Sequence, residues 1–193
     1  MQLLGITFTD PNGNLQNLQS DLTGIYQLKN ITGVLCAIDL LKAKFPKLNN
    51  EIIFSALAKV KKLTGLKGRW EVLNENPLCI ADTGHNEDGI QQILTQLTFC
   101  KYENIHWVMG MVNDKDFNSV LALLPKNATY YFCKPNIPRG LDQHILQQAA
   151  AQFNLNGDCY ASVQEAFLAA KNNAKITDLV LVAGSTFIVA EII

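Results

Sequence analysis

Leu179-Val180-Leu181-Val182-Ala183-Gly184-Ser185-Thr186 is the stretch that decides the fold. Five apolar residues run without a polar break. A strand with one wet face would alternate, so this one reads as buried on both faces, the habit of parallel sheets. Glycine and two hydroxyl residues then close the run, as a turn and a helix start would. Working outward, candidate strands fall at 70–73, 78–82, 105–109, 128–133, 158–160 and 178–183. Candidate helices lie near 87–98, 116–124, 141–152, 162–172 and 186–191. Strand–helix alternation implies right-handed crossovers and a mostly parallel sheet covered on both sides. The expected class is α/β with Rossmann-like topology.

Residues before this block follow other rules. Leu3 to Thr9 is apolar and β-branched and ends in Asp10-Pro11-Asn12-Gly13-Asn14, a strong turn signal, so Leu15 to Leu18 can return as a hairpin strand. Ile31, Val34, Leu35, Ile38 and Leu41 fall at helical spacing, and Pro46 stops that helix. A second helix follows, capped by Asn49 or Asn50, with Ile52, Ile53, Ala56, Leu57 and Val60 on one face. Such a block, residues 1–62, is marginal as an independent core and reads as the end of a larger domain. The segment 63–68, with two glycines, reads as a linker.

Composition narrows the function classes. The chain has 193 residues, 48% hydrophobic and 17% charged, with a net charge of -1, which excludes disorder. Sixteen basic against 17 acidic residues give no field to track phosphates, so no nucleic-acid partner is expected. No apolar run reaches the ~20 residues that span a bilayer, so no membrane partner is expected either. The start lacks the basic and apolar regions of a signal peptide. Cys36, Cys79, Cys100, Cys133 and Cys159 are scattered and odd in number, and read as buried thiols of a cytoplasmic protein. No paired-histidine or Cys-x-x-Cys spacing suggests a metal cage. Phosphate-loop, dinucleotide and nucleophile-elbow motifs are also missing, so a self-contained nucleotidase, dehydrogenase or hydrolase is not supported.

In open α/β sheets ligands bind outside the carboxyl ends of the strands. Ile80-Ala81-Asp82-Thr83-Gly84-His85-Asn86 is the sharpest such tip, ending a strand in a carboxylate and presenting an imidazole before a helix. Asp82 can accept from a ribose or an arginine, and His85 can position a phosphate or carboxylate. The plainer alternative makes Asp82 or Asn86 a helix cap and His85 a solvated loop residue. At Met109 to Asp116, Asn113 or Asp114 reads as a helix cap. Pro135 and Pro138 stiffen a loop that presents Arg139 to a carboxylate or phosphate, or simply turns into the next helix. Gly184-Ser185-Thr186 can bring N–H groups to an anion or serve as a turn and cap.

Taken in order, Gln27-Leu28-Lys29-Asn30-Ile31-Thr32, Gly68-Arg69-Trp70-Glu71-Val72, Asp82-Thr83-Gly84-His85-Asn86, Gly110-Met111-Val112-Asn113-Asp114-Lys115-Asp116, Pro138-Arg139-Gly140 and Gly184-Ser185-Thr186-Phe187 resemble the back half of folylpolyglutamate synthase/dihydrofolate synthase, of the Mur ligase superfamily. Thr83, Glu87 and Gly140 depart from the family's usual alanine, proline and alanine. The resemblance implies that 1–62 is the remnant of a central ATP-binding domain, 63–68 a hinge and 69–193 the Mur ligase C-terminal domain. It implies an ATP-dependent ligase, with Mg2+ held by residues outside this chain, joining L-glutamate to a dihydropteroate or folate. A fragment of that kind is inactive alone and monomeric. The resemblance places Asn30 at the adenine and Arg69 and Asp82 at the ribose or phosphates. It makes His85 an active-site histidine, for phosphate contact or alignment of the incoming glutamate. Ser185 and Arg139 carry over as well, and closure about the hinge would swing Arg69 over the nucleotide. The alternatives are another Mur-type amide ligase and a non-catalytic α/β module that binds a small anion.

Overall fold

The computed structural model describes residues 3–10, 12–113 and 117–193, which form two compact units, Met1–Arg69 and Trp70–Ile193. In the first, β1 (Leu4–Thr9) and β2 (Leu15–Ser20) form an antiparallel hairpin. Asp10 ties its turn by accepting from the N–H groups of Asn12 and Asn14, both at 2.9 Å. Pro11 of the expected turn lies outside the described residues. Helix α1 (Gln27–Lys42) starts four residues before the expected stripe. Ile31 is buried and Leu35 and Ile38 pack beside it, while Val34 and Leu41, assigned to the same stripe, are exposed. The helix is apolar round most of its girth, so spacing alone does not single out the covered side.

The second helix ends early. Asn49 Oδ1 caps α2 (Asn50–Leu57) by accepting from Ile52 N, and only Ile53 and Leu57 of the expected face are buried. A separate short helix, α3 (Val60–Thr64), occupies the first two positions of the expected linker. Its first turn is held by Asp21, whose Oδ2 accepts from Lys61 N at 3.0 Å, a contact forty residues apart that local pattern does not reveal. Gly65, with φ 69°, ends it.

The second unit bears out the α/β reading. Its strands are β3 (Glu71–Glu75), β4 (Leu78–Asp82), β5 (Ile105–Met109), β6 (Thr129–Cys133), β7 (Gly157–Tyr160) and β8 (Leu179–Ala183). They lie in the order β3-β4-β8-β5-β6-β7, with β3 antiparallel to β4 and the rest parallel. All five residues of β8 are buried, as its unbroken apolar run requires. The helices are α4 (Glu87–Leu97), α5 (Asn118–Leu123), α6 (Gln143–Ala151), α7 (Val163–Asn173) and α8 (Thr186–Ala190). Residue 116, the expected start of the α5 helix, lies outside the described residues.

Strand alternation divides the core in two. Ile80, Trp107, Met109, Tyr130, Phe132, Leu179 and Leu181 pack with Ile90 and Ile93 of α4, Leu121 of α5 and Leu146 of α6. Cys79, Ala81, Val108, Tyr131, Val180 and Val182 pack with Val163, Ala166 and Ala170 of α7 and Ile188 and Val189 of α8. Burying aliphatic and aromatic side chains on both faces contributes ~1.5–3 kcal/mol apiece and fixes the strand ends that carry the loops. Of the cysteines, Cys79 and Cys133 are buried, Cys100 and Cys159 half-buried, and Cys36 exposed on α1, contrary to the expectation that all were interior. No helix among the described residues is long and apolar enough to cross a membrane.

Candidate active site

A cavity of about 240 Å³ opens just outside the carboxyl ends of the central strands. The loop after β4 gives it His85, the loop after β5 Met111 and Val112, the loop after β6 Arg139, and the tip of β8 Gly184 and Ser185. Phe117, Val120 and Phe187 complete a largely apolar wall.

The β4 tip is built by Asp82. This carboxylate is only 2% exposed, so its charge must be met by donors. Oδ2 accepts from Trp70 N at 2.8 Å and Oδ1 from Gly84 N at 2.9 Å. Trp70 needs that hold, because its φ of 51° is a costly conformation for a large side chain. Asp82 therefore lies beneath the loop and does not line the cavity. Each oxygen takes one backbone N–H, and a carboxylate oxygen has room for two donors. Asn86 caps α4, its Oδ1 accepting from Gly89 N at 2.8 Å. Gly84 is closely packed, and an added Cβ would displace Ile93 Cδ1, 2.7 Å away, and crowd the Gly89 carbonyl at 3.1 Å.

His85 projects from this tip, exposed, with Nδ1 2.9 Å from the Thr83 carbonyl. A carbonyl can only accept, so Nδ1 carries the proton and Nε2 is left for a substrate. Thr83 itself buries a hydroxyl with no hydrogen-bond partner among the described residues.

Arg139 is presented stiffly, though less by its prolines than by pairing with the β5 loop. Asn113 N donates to the Arg139 carbonyl and Leu141 N to that of Met111, both at 2.9 Å, and Val112 bridges Gly140. Asn113 thus does not cap α5, and Asp114, the other candidate, lies outside the described residues. The guanidinium carbon of Arg139 sits 5.0 Å above the ring of Phe187, a cation–π contact that limits its swing. Ser185 is 3% exposed and spends its Oγ on the N–H of Phe187 at 3.2 Å, capping α8. Gly184, with φ 124°, makes the turn that lets its N–H reach the Gly84 carbonyl at 3.0 Å.

The structure thus gathers His85, Ser185 and Arg139 around one cavity. Asn30 and Arg69, both exposed, belong to the other unit. Phe117 and Val120, which form part of the cavity wall, are not marked out by the sequence because their spacing is that of any helix facing a core.

The profile of the family described as Mur ligase, glutamate ligase domain, matches residues 68–186. The chain belongs to the Mur ligase glutamate ligase domain family. A protein of Haloferax volcanii, "Probable bifunctional folylpolyglutamate synthase/dihydropteroate synthase", is 34% identical over 173 residues, which cover 88% of this chain and 20% of that protein. The "Dihydrofolate synthase/folylpolyglutamate synthase" of Escherichia coli is 30% identical over 187 residues, covering 96% of this chain and 41% of the relative. Among solved structures, Escherichia coli FolC in complex with DHPP and ADP superposes with a TM-score of 0.76 at 28% identity, over 96% of this chain and 42% of that one. The chain therefore spans less than half the length of each of these relatives. The matched Mur ligase segment includes every residue that lines the cavity except Phe187, which follows it directly.

Proposed function

We propose that this chain is the C-terminal part of an ATP-dependent ligase that joins L-glutamate to dihydropteroate or tetrahydrofolate. The carrying observation is the cavity, which collects an imidazole, a fixed guanidinium and an apolar wall at the strand ends of a glutamate ligase domain. At about 240 Å³ it falls below the ~300–1,000 Å³ of pockets for drug-sized ligands, so it suits an amino acid better than a whole nucleotide.

In the reaction proposed, a substrate carboxylate takes the γ-phosphoryl group of ATP to become an acyl phosphate. The glutamate amine then attacks the acyl carbon and phosphate leaves. Arg139 pairs with a carboxylate of glutamate through its planar fork. Nε2 of neutral His85 takes the proton that the attacking amine sheds, or, in the imidazolium form, donates its N–H to a phosphate oxygen. Met111, Val112, Phe117 and Phe187 keep water from the acyl phosphate. Asp82 serves as a positioning residue for the His85 loop, and Ser185 for the opposite rim. Asn30 contacts the adenine and Arg69 the ribose or phosphates. Magnesium, when bound, neutralises phosphoryl charge. Residues outside this chain would hold it, since among the described residues no group of three His, Cys, Asp or Glu side chains could hold a metal ion. Residues 1–62 are assigned to the ATP-binding domain, 63–68 to the connecting segment and 69–193 to the glutamate ligase domain.

The test is incorporation of radiolabelled L-glutamate by a full-length ligase carrying this sequence, with dihydropteroate or tetrahydrofolate as acceptor. ATP-dependent incorporation is expected, and His85→Ala should lower kcat by about 10²–10⁴-fold. Incorporation that ignores ATP, or a His85→Ala enzyme with full kcat, overturns the assignment.

A further inference from the structure

We propose that Glu191, which does not line the cavity, is a positioning residue that holds Arg139 against Phe187 and so sets the affinity for the glutamate carboxylate. The inference rests on the role given to Arg139 above and deepens it.

Glu191 closes the end of α8, four residues after Phe187. Residues four apart share one face of a helix, and this face grips the loop after β6 at two points. The Phe187 ring lies 5.0 Å from the guanidinium carbon of Arg139. One turn further along, Glu191 Oε1 accepts from Asn136 N at 2.7 Å, the short contact expected of a charged acceptor. The end of α8 is itself tied down, because the Glu191 carbonyl accepts from Gln164 Nε2 of α7 at 3.2 Å.

Between those two points the loop has little slack. Ile137 N donates to the Pro135 carbonyl at 2.8 Å and Gly140 N to that of Ile137 at 2.9 Å. Gly140 passes so close to the other leg that an added Cβ would stand 2.4 Å from the Pro135 oxygen, which belongs to backbone and cannot swing aside. Pro135 and Pro138 fix two of the loop's φ angles. The β5 loop holds the Arg139 backbone from one side, through Asn113 N and Leu141 N. Glu191 supplies the tie on the other side, to the helix that carries Phe187. Without that tie the loop and α8 can part, and the guanidinium comes off the ring.

Charge separates this role from a purely electrostatic one. A carboxylate fixed to the loop that presents Arg139 repels an anionic substrate and competes for the cation. Removing its charge alone lowers KM for L-glutamate, whereas removing the tie raises it.

In the 193-residue chain, NMR follows the Arg139 side-chain protons, which the Phe187 ring current moves upfield while the guanidinium lies over its face. In Glu191→Met, an apolar side chain of similar length, those protons should return toward free-arginine positions. Glu191→Gln keeps an acceptor oxygen and should retain the upfield shift. Native tryptophan fluorescence shows that the unit remains folded. In the full-length ligase, Glu191→Met should raise KM for L-glutamate about tenfold, roughly one hydrogen bond, and leave kcat and KM for ATP unchanged. Glu191→Gln should hold that KM at or below its starting value. Unmoved Arg139 protons in Glu191→Met overturn the positioning role, as does a KM for L-glutamate that stays or falls there, or that rises equally in Glu191→Gln. If Arg139→Ala leaves KM for L-glutamate unchanged, the glutamate role of Arg139 falls and the effect on affinity with it. The NMR result then still decides whether Glu191 holds Arg139.

Discussion

Replacing Asp82 by Asn tests how the β4 tip is held. The aspartate meets two backbone donors, Trp70 N at 2.8 Å and Gly84 N at 2.9 Å, inside a site 2% open to water. Hydrogen bonds to a charged acceptor contribute ~1.5–3 kcal/mol each, against ~1 for a neutral one. Asparagine keeps a single oxygen, so one donor is left facing an amide N–H and the other bond is weakened. Release of Trp70 from φ 51° returns part of the loss, because such a conformation itself costs ~1–3 kcal/mol. The expected net destabilisation is about 3 kcal/mol, a fall in Tm of roughly 10 °C for a unit of this size. Both tryptophans, Trp70 and Trp107, belong to the Trp70–Ile193 unit, so tryptophan fluorescence in urea reports its unfolding alone. A loss below ~0.5 kcal/mol, within the range of an ordinary surface substitution, would show that the carboxylate does not hold the tip.

Two further predictions concern titration and thiol chemistry. Burial opposes ionisation of Asp178, but hydrogen bonds from Lys175 N, the Asn104 side chain, His106 and Asn104 N outweigh it and hold the carboxyl below its ordinary value of 3.8. A depressed carboxyl stabilises fully above that value and loses its contribution as pH falls through the lower folded-state value. Urea midpoints should therefore drop steeply below pH 3.8, and Asp178→Asn should flatten that limb; an unchanged slope in the variant refutes it. Burial, reinforced by Glu191, pushes the Cys133 thiol up to about 12, while Cys36 stands exposed on α1. An aromatic disulfide reagent at neutral pH should label Cys36 first and reach Cys79 and Cys133 only in urea. Peptide mapping that finds Cys133 labelled in the native chain refutes this.

Elements whose pattern is strictly local are legible in the amino-acid sequence. The β4, β5 and β8 runs and the helices after them need only periodicity and punctuation, because a strand buried on both faces is apolar except where a side chain such as Asp82 or His106 finds hydrogen-bond partners. The α1 face is not legible, since a helix apolar round most of its girth satisfies several orientations. Nor is α3, whose first turn depends on Asp21 forty residues away. Asp82 reads from sequence as a binding carboxylate because its position at a strand end is right. Its burial and its hold on Trp70 N and Gly84 N come only from the tertiary structure.

The sequence by itself determined the α/β class, the strand-end loops and the family to which they belong, because period, glycine placement and motif order are properties of the chain read in one dimension. Tertiary structure alone decided which strand-end residues share a cavity. His85, Arg139 and Ser185 are separated by tens of residues and meet only because β8 inserts between β4 and β5. Strand order is set by how crossovers pack two hydrophobic faces, and no local pattern encodes that.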